Sequence, residues 1–312
     1  MRNAYIAAVH DLAGRDSRIL ALVADNGAIV FDRFRKDHPE RFINFGIAEA
    51  NMISVAAGLA ACGKIPFAYT IAGFLTMRAY EQIRNDVCLQ RMNVKLVGIG
   101  AGFAYSDLGP THHTVEDLAL MRILPGMTIF APCDPQEARR VTFTAAQIDG
   151  PVYIRLATGG SPRVYDMEMP FEIGKAVSLH EGNDLSIVTT GHIVPEVLSA
   201  VRELDADGIQ VRLLHYPTVK PFDEATLLDA ADRTGLILTV EEHSVYGGLG
   251  GIVSEILAEH GSGAVCKRLG LWDRFPAGYG SYAWMKEHNG LSSRQIISSV
   301  RSLMECRNGS PS

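Results

Sequence analysis

The sequence predicts an α/β fold, built as two consecutive domains with mainly parallel sheets. Short apolar runs alternate with helical patterns along the first half, and a second series of the same kind follows a segment rich in Gly, Ser and Pro. The 312 residues are 47% hydrophobic and 21% charged, so the chain can bury a large core and exceeds the usual size of one domain.

The first series is predicted from apolar runs that alternate with stretches of helical periodicity. The helix that begins at Ile47 is typical, since Ala50, Ile53 and Ala57 recur at helical spacing and Gly63 ends the run. The strands are predicted at 19–25, 41–46, 65–70, 94–100, 128–133 and 152–157, and the helices at 47–62, 74–90, 114–123 and 135–147.

Periodicity stops between Ala157 and Pro170, which predicts a linker at 161–172 between a first domain at 1–160 and a second at 173–312. The second series repeats the alternation of the first. Its strands are predicted at 185–191, 211–217, 236–242 and 265–271, and its helices at 193–204, 223–233, 249–260 and 293–306.

Composition excludes several classes of protein. The net charge of -6 is spread without long runs of one sign, so neither a nucleic acid nor a membrane surface is expected as a partner. The five cysteines are scattered and form no C-x-x-C pair, which argues against a disulfide framework and against a zinc site; no metal ligand is predicted on this chain.

The amino terminus also predicts a cytoplasmic protein. The first sixteen residues suggest an amphipathic helix interrupted by His10 and Asp11, unlike the apolar core of a secretory signal. No run reaches the ~18 apolar residues of a membrane-spanning helix. We therefore expect reduced thiols in a cytoplasmic chain.

Glu49 is the most informative residue, because it stands in the first turn of an otherwise apolar helix. It follows the carboxyl end of a predicted strand, the edge at which open α/β sheets bind ligands, and a helix amino terminus favours an anion there. The neighbours Ala48, Ala50 and Met52 predict an apolar wall around its carboxyl group. A glutamate that only complements the helix dipole is the alternative interpretation.

Five segments, in this order, resemble the carboxyl-terminal half of transketolases: RFINFGIAEANM, GFLTMRAYEQIRNDV, GPTHHTVEDLALMRILPGMTI, PVYIRLATG and TVEEHSVYGGLG. The likeness covers nearly the whole chain and is greatest to the separate small subunit found where that enzyme is split into two chains. It implies a pyrimidine-binding domain for thiamine diphosphate, followed by a transketolase carboxyl-terminal domain. The activity it implies is transfer of a two-carbon ketol unit from a ketose donor to an aldose or aldehyde acceptor.

The resemblance assigns roles toward the cofactor to five residues. Glu49 matches the acid that hydrogen-bonds the aminopyrimidine ring and so allows the thiazolium carbon to be deprotonated. Phe74 and Tyr80 match aromatic walls of the pyrimidine, and Met77 covers the ring where many members have an aromatic residue. Asp25 matches an acid near the thiamine site. Packing in the core is the alternative for Tyr80, and capping of a turn is the alternative for Asp25.

The resemblance also assigns the substrate side. His112 matches the histidine that exchanges protons with the reacting carbonyl and hydroxyl groups, and Arg155 matches an arginine that binds the phosphate or terminal hydroxyls of the sugar. A surface ion pair is the alternative for Arg155. Leu108, Gly100 and Ile29 stand where sugar-phosphate transketolases carry polar ligands. We therefore hypothesise that at least one substrate is not an ordinary sugar phosphate.

The cofactor's diphosphate requires a partner chain on this interpretation. The family's magnesium site begins with a Gly-Asp-Gly tripeptide, which this sequence lacks. The resemblance therefore implies that an N-terminal transketolase subunit holds Mg²⁺ and the diphosphate in an α₂β₂ enzyme, and that this chain alone is inactive. The segment at 241–244 is assigned to assembly.

Three alternatives to a transketolase subunit stay open at this point. Two are thiamine enzymes: the β subunit of a 2-oxo acid dehydrogenase E1 component and a 1-deoxyxylulose-5-phosphate synthase-like enzyme. The third is a regulatory or scaffolding subunit without activity. The joint presence of Glu49, Phe74 and His112 argues against this inactive subunit, because a scaffold needs neither the acid nor the histidine.

Overall fold

The computed structural model describes residues 1–158, 160–165 and 171–307. In this part the chain forms a seven-stranded sheet and a five-stranded sheet, with helices packed against both. The structure confirms the predicted α/β class with mainly parallel sheets. Residues 166–170 of the predicted linker lie outside the described residues.

The first half contains the elements that carry the larger sheet. In chain order they are α1 (Arg2–Ala13), β1 (Ile19–Val23), α2 (Asp32–Asp37), β2 (Phe42–Asn44), α3 (Glu49–Ala61), β3 (Ile65–Ile71), α4 (Tyr80–Gln82), β4 (Lys95–Ile99), α5 (Asp117–Arg122), β5 (Thr128–Phe130), α6 (Pro135–Gln147) and β6 (Val152–Leu156). Every residue of β1, β3, β4 and β6 is buried, as expected for parallel strands covered on both faces.

The second half adds the smaller sheet and its helices. In chain order they are β7 (Val177–His180), β8 (Leu185–Thr189), α7 (Val194–Ala206), β9 (Val211–His215), β10 (Thr218–Lys220), α8 (Glu224–Thr234), β11 (Leu236–Ser244), α9 (Leu249–Glu259), β12 (Val265–Leu271), α10 (Tyr282–His288) and α11 (Ser293–Arg307). The strand order is β12-β11-β8-β9-β7, and β7 is antiparallel to β9 while the other pairs are parallel.

The two halves share one sheet. The larger sheet has the order β10-β5-β6-β4-β3-β1-β2, so the short strand β10 of the second half pairs antiparallel with β5 at its edge. A buried hydrogen bond supports the same junction, since His215 Nε2 at the end of β9 lies 2.8 Å from Glu137 Oε2 on α6.

Two predicted helices differ from the structure. The stretch predicted as a helix at 74–90 is built from π-helical turns at Phe74–Arg78 and Ile83–Cys88, on either side of α4. Helix α1 continues through His10 and Asp11, because each polar side chain has a partner: His10 Nε2 lies 2.9 Å from Asp37 Oδ2, and Arg139 donates to Asp11 at 2.7 Å. No described helix combines the length and apolar character needed to cross a bilayer.

Candidate functional site

Three of the predicted site residues follow the carboxyl ends of neighbouring parallel strands. Glu49 comes after β2, Phe74 comes after β3, and His112 lies in the loop after β4. Since β2, β1, β3 and β4 are adjacent and parallel, these segments emerge at one edge of the sheet, where α/β folds bind ligands.

Glu49 is the first residue of α3 and is only 4% exposed. The positive end of the helix dipole favours a carboxylate at this position. Its partner is Arg78, whose Nη1 lies 3.3 Å from Oε1 and 3.4 Å from Oε2. The wall around Glu49 is therefore not wholly apolar, because a guanidinium group contacts the carboxylate.

Phe74 opens the π-helical turn that ends at Arg78. The guanidinium carbon of Arg78 lies 3.8 Å from the centroid of the Phe74 ring, a close cation–π contact. One arginine thus joins the predicted acid to the predicted stacking ring. Single π-helical turns are rare and occur frequently at functional sites.

His112 stands beside the same aromatic ring. Its imidazole centroid lies 5.2 Å from that of Phe74 and 6.3 Å from that of Tyr105, edge-on in both cases. Its main-chain N–H donates to the Gly109 carbonyl at 3.0 Å, and its Nδ1 lies 3.0 Å from the Thr111 hydroxyl. The loop therefore holds the imidazole in a defined orientation next to Phe74.

Tyr105 belongs to the site although the sequence does not predict it there. Gly100 has a φ of +79°, and a Cβ at this position would overlap the Tyr105 ring. The missing side chain at Gly100 therefore makes room for an aromatic residue beside His112. Burial raises the pKa of Tyr105, against the effect of a hydrogen bond with Asn26.

The other predicted cofactor residues lie around this cluster or apart from it. Met77 is 44% exposed, one residue before the arginine that contacts Glu49. Asp25 is exposed after β1 with a φ of 59°, and it exchanges hydrogen bonds with Asn44, from its N–H at 3.0 Å and to its carboxylate at 3.3 Å. These hydrogen bonds fit the alternative in which Asp25 caps a turn, and a role for Asp25 toward the cofactor stays a prediction.

Tyr80 does not reach the cluster. Its hydroxyl donates to the Leu120 carbonyl at 3.1 Å, and its ring packs against a different hydrophobic cluster from that of Phe74. These contacts fit the packing alternative, and a role for Tyr80 as an aromatic wall of the cofactor site stays a prediction.

Arg155 lies in the junction of the two domains. Its side chain is 3% exposed, its Nε donates to Asp117 Oδ2 at 2.8 Å, and its Nη2 donates to the Glu242 carbonyl at 3.0 Å. Burial raises the pKa of Asp117, but the charges and hydrogen bonds of its neighbours, with the charge of Arg155 first among them, together hold that pKa below its ordinary value. In this structure Arg155 is held in a buried ion pair, whereas the alternative drawn from the sequence was a surface one, and its role in substrate binding stays a prediction.

Glu242 links the second domain to the loop after β4, which contains Phe103 and His112. Its carboxylate accepts the Phe103 N–H and the Tyr282 hydroxyl, and it lies 3.2 Å from His192 Nε2. Burial opposes its ionisation, yet His192 and these donors lower its pKa. The segment assigned to assembly thus joins the two domains within this chain.

The residues beside Glu242 have shifted pKa values of opposite sense. Glu241 accepts the N–H groups of Leu249 and Gly250 at 2.7 Å each, at the start of α9. Burial nevertheless raises the pKa of Glu241 to about 7. Burial lowers the pKa of His243 to about 4, so this imidazole is neutral at pH 7.

A cavity of about 240 Å³ opens beside this junction. Its lining includes Ala104 of the loop after β4, Thr158 and Ser161 after β6, and His192 and Tyr282 of the second domain. The imidazole of His192 stacks on the Tyr282 ring at a centroid distance of 5.3 Å. The second domain therefore forms one wall of a space that adjoins the His112 loop.

Comparison with known proteins identifies both halves. The family described as "Transketolase, pyrimidine binding domain" matches residues 1–161, and "Transketolase, C-terminal domain" matches residues 174–296. The chain is 40% identical over 309 residues to the 6-deoxy-6-sulfo-D-fructose transketolase subunit SqwH of Clostridium sp. (strain MSTE9), a match over 99% of this chain and 95% of that protein.

Two further comparisons agree. An apulose-4-phosphate transketolase subunit of Actinobacillus succinogenes is 37% identical over 270 residues, 86% of this chain and 87% of that protein. A solved structure described as a split gene transketolase, inactive beta4 tetramer, has a TM-score of 0.90 and 40% sequence identity over 97% of this chain and 98% of its own. These matches confirm the resemblance drawn from the five motifs. The chain belongs to the transketolase family and carries its pyrimidine-binding domain followed by its carboxyl-terminal domain.

Proposed function

We propose that this chain is the carboxyl-terminal subunit of a split transketolase, which transfers a two-carbon ketol unit between a ketose donor and an aldehyde acceptor. The observation that supports this most is the convergence of Glu49, Phe74 and His112 at one sheet edge. Packing alone does not account for a carboxylate that is 4% exposed and that Arg78 links to an aromatic ring, which in turn lies beside an imidazole.

The side chains present fit the aminopyrimidine half of thiamine diphosphate. The Glu49 carboxyl group can hold a proton toward a ring nitrogen, and Phe74 offers a face to a flat heterocycle. Met77, half-exposed on the same turn, offers a polarisable thioether. When bound, the cofactor supplies a nucleophilic carbon for the two-carbon unit.

His112 is the residue that we assign to proton transfer at the substrate. The Thr111 hydroxyl, 3.0 Å from Nδ1, orients the imidazole, so Nε2 is the atom assigned to the exchange. An imidazole changes its charge near neutral pH and can give a proton to an alkoxide or accept one from a hydroxyl group. The Phe74 and Tyr105 rings lie beside it, at centroid distances of 5.2 Å and 6.3 Å.

The partner that we propose is an N-terminal transketolase subunit that holds the diphosphate through Mg²⁺ in an α₂β₂ enzyme. Two observations support it: the missing Gly-Asp-Gly tripeptide and relatives of similar length that are themselves named subunits. We propose a cytoplasmic location, supported by the free thiols of Cys62, Cys88, Cys133 and Cys266.

At least one substrate, we propose, is not an ordinary sugar phosphate. Ile29 is 81% exposed and Leu108 is 48% exposed, so hydrocarbon stands where polar sugar ligands are expected. The relatives named for 6-deoxy-6-sulfo-D-fructose and for apulose 4-phosphate support a substrate outside the common pentose phosphates. A low KM for xylulose 5-phosphate with ribose 5-phosphate would contradict this proposal.

The test is reconstitution of the two chains with thiamine diphosphate, Mg²⁺ and a panel of ketose donors and aldehyde acceptors. Glu49→Gln is expected to abolish turnover, because an amide cannot share a proton with the pyrimidine ring as a carboxyl group does. The size of the complex is expected to stay unchanged. Glu40→Gln, at an exposed position of the same domain, is the matched control. Full turnover by Glu49→Gln would contradict the proposed function.

A further inference from the structure

Arg78 contacts both of the groups that we assign to the pyrimidine ring. Its Nη1 lies 3.3 Å and 3.4 Å from the two Glu49 carboxylate oxygens, and its guanidinium carbon lies 3.8 Å from the centroid of the Phe74 ring. The π-helical turn from Phe74 to Arg78 makes this possible, since its first and last residues lie about one turn apart.

The guanidinium group shares its main chemical features with an aminopyrimidine ring. It is planar, it donates N–H groups along its edge to a carboxylate, and it stacks on aromatic faces. An aminopyrimidine is also flat and carries an amino group on its edge. Arg78 therefore satisfies Glu49 and Phe74 as a flat nitrogen heterocycle would.

The contact is built so that it can be broken. The Glu49 side chain is 5% exposed, whereas that of Arg78 is 49% exposed, so only the arginine is free to move into solvent. Charge-assisted hydrogen bonds are usually about 2.7–2.9 Å long, and those of Arg78 are longer.

We propose that Arg78 is a positioning residue that occupies the pyrimidine site of this chain until the cofactor displaces it. In the free site it neutralises a buried carboxylate that would otherwise be unpaired. Displacement of Arg78 then opposes cofactor binding and lowers affinity. The inference rests on the proposed function, since it presumes that thiamine diphosphate binds here.

The test is a calorimetric titration of thiamine diphosphate, with Mg²⁺, into the complex of both chains. Arg78→Met removes the guanidinium group and is expected to lower the Kd about tenfold, equivalent to about 1.4 kcal/mol. Arg84→Met is the matched control, because Arg84 is exposed in the next π-helical turn and donates to Asn85 at 2.6 Å. Its Kd is expected to equal that of the unmodified complex.

Two further variants separate the outcomes. Arg78→Lys keeps the charge and loses the planar fork, and an intermediate Kd is expected. In a Glu49→Gln background the gain from Arg78→Met is expected to fall below about threefold, because the carboxylate partner is gone. An unchanged or higher Kd for Arg78→Met would overturn the inference alone. If the unmodified complex binds no thiamine diphosphate, the proposed function fails with it.

Discussion

Replacement of Arg155 by methionine is expected to destabilise the fold. The arginine is 3% exposed and Asp117 is 0% exposed, and their side chains meet at 2.8 Å. Removal of one partner of a buried ion pair costs about 3–5 kcal/mol, because the remaining charge is left uncompensated. The Tyr153 hydroxyl, which donates to Asp117 at 2.7 Å, does not neutralise that charge.

This free energy converts to a measurable shift in melting temperature. At about 2.1 cal/mol/K per residue, unfolding of a chain of this length carries an entropy of about 0.65 kcal/mol/K, so the Tm is expected to fall by about 5–8 °C. Differential scanning calorimetry at pH 7 measures it. The KM of the reconstituted enzyme for its sugar substrates is expected to change by less than about twofold, because the guanidinium group faces the domain junction.

Two controls accompany this variant. Arg301→Met removes an exposed partner of Asp207 and is expected to cost less than about 0.5 kcal/mol. The double variant Arg155→Met with Asp117→Asn removes both buried charges and is expected to recover most of the lost stability. An unchanged Tm in Arg155→Met together with a large rise in KM would refute the structural assignment and support the predicted role of Arg155 in substrate binding.

Three other predictions test the junction and the site. Gly102→Ala is expected to lose about 2–3 kcal/mol in urea unfolding, because Gly102 has a φ of +64° and a Cβ there overlaps the Glu242 carboxylate; an unchanged midpoint would contradict this. The raised pKa of Glu241, about 7, makes stability fall as pH rises from 4.5, whereas the lowered pKa of His243, about 4, makes it rise up to pH 6.5. These two effects nearly cancel between pH 4.5 and 6.5. Glu241→Gln removes one of them and leaves that of His243, so the Tm of this variant is expected to rise with pH over that window. A Tm that stays constant with pH in calorimetry would contradict the two pKa shifts. Tyr80→Phe keeps the ring and removes the hydroxyl that donates to the Leu120 carbonyl, so it is expected to cost about 1 kcal/mol of stability and to leave the Kd for thiamine diphosphate unchanged; a tenfold weaker Kd would contradict this expectation.

Most of the fold could be predicted from the sequence, because buried parallel strands appear as continuous apolar runs. The elements that the pattern does not predict have distant partners or are short. Strand β10 has three residues and pairs with β5 of the other half, and β7 is an antiparallel edge strand of which no residue is fully buried. No local pattern reports such pairing.

The candidate site could be predicted where a residue's chemistry is unusual for its position. Glu49 is an acid at an apolar helix start, and His112 follows a Gly-Pro turn, so the sequence points to both. Arg155 could not be placed, because a strand pattern does not show whether a charged residue at its end faces solvent or a second domain. Arg78 is not predicted either, although its spacing of four residues from Phe74 is a signal for contact on a helix.

The central claim is that Glu49 and Phe74 bind the pyrimidine ring of a cofactor whose diphosphate is held by another subunit. The most direct measurement is a crystal structure of the complex of both chains with thiamine diphosphate and Mg²⁺. The account predicts a hydrogen bond between the Glu49 carboxyl group and the ring, with Phe74 beside it and Arg78 displaced. A ring bound elsewhere, with Arg78 still paired to Glu49, would contradict it.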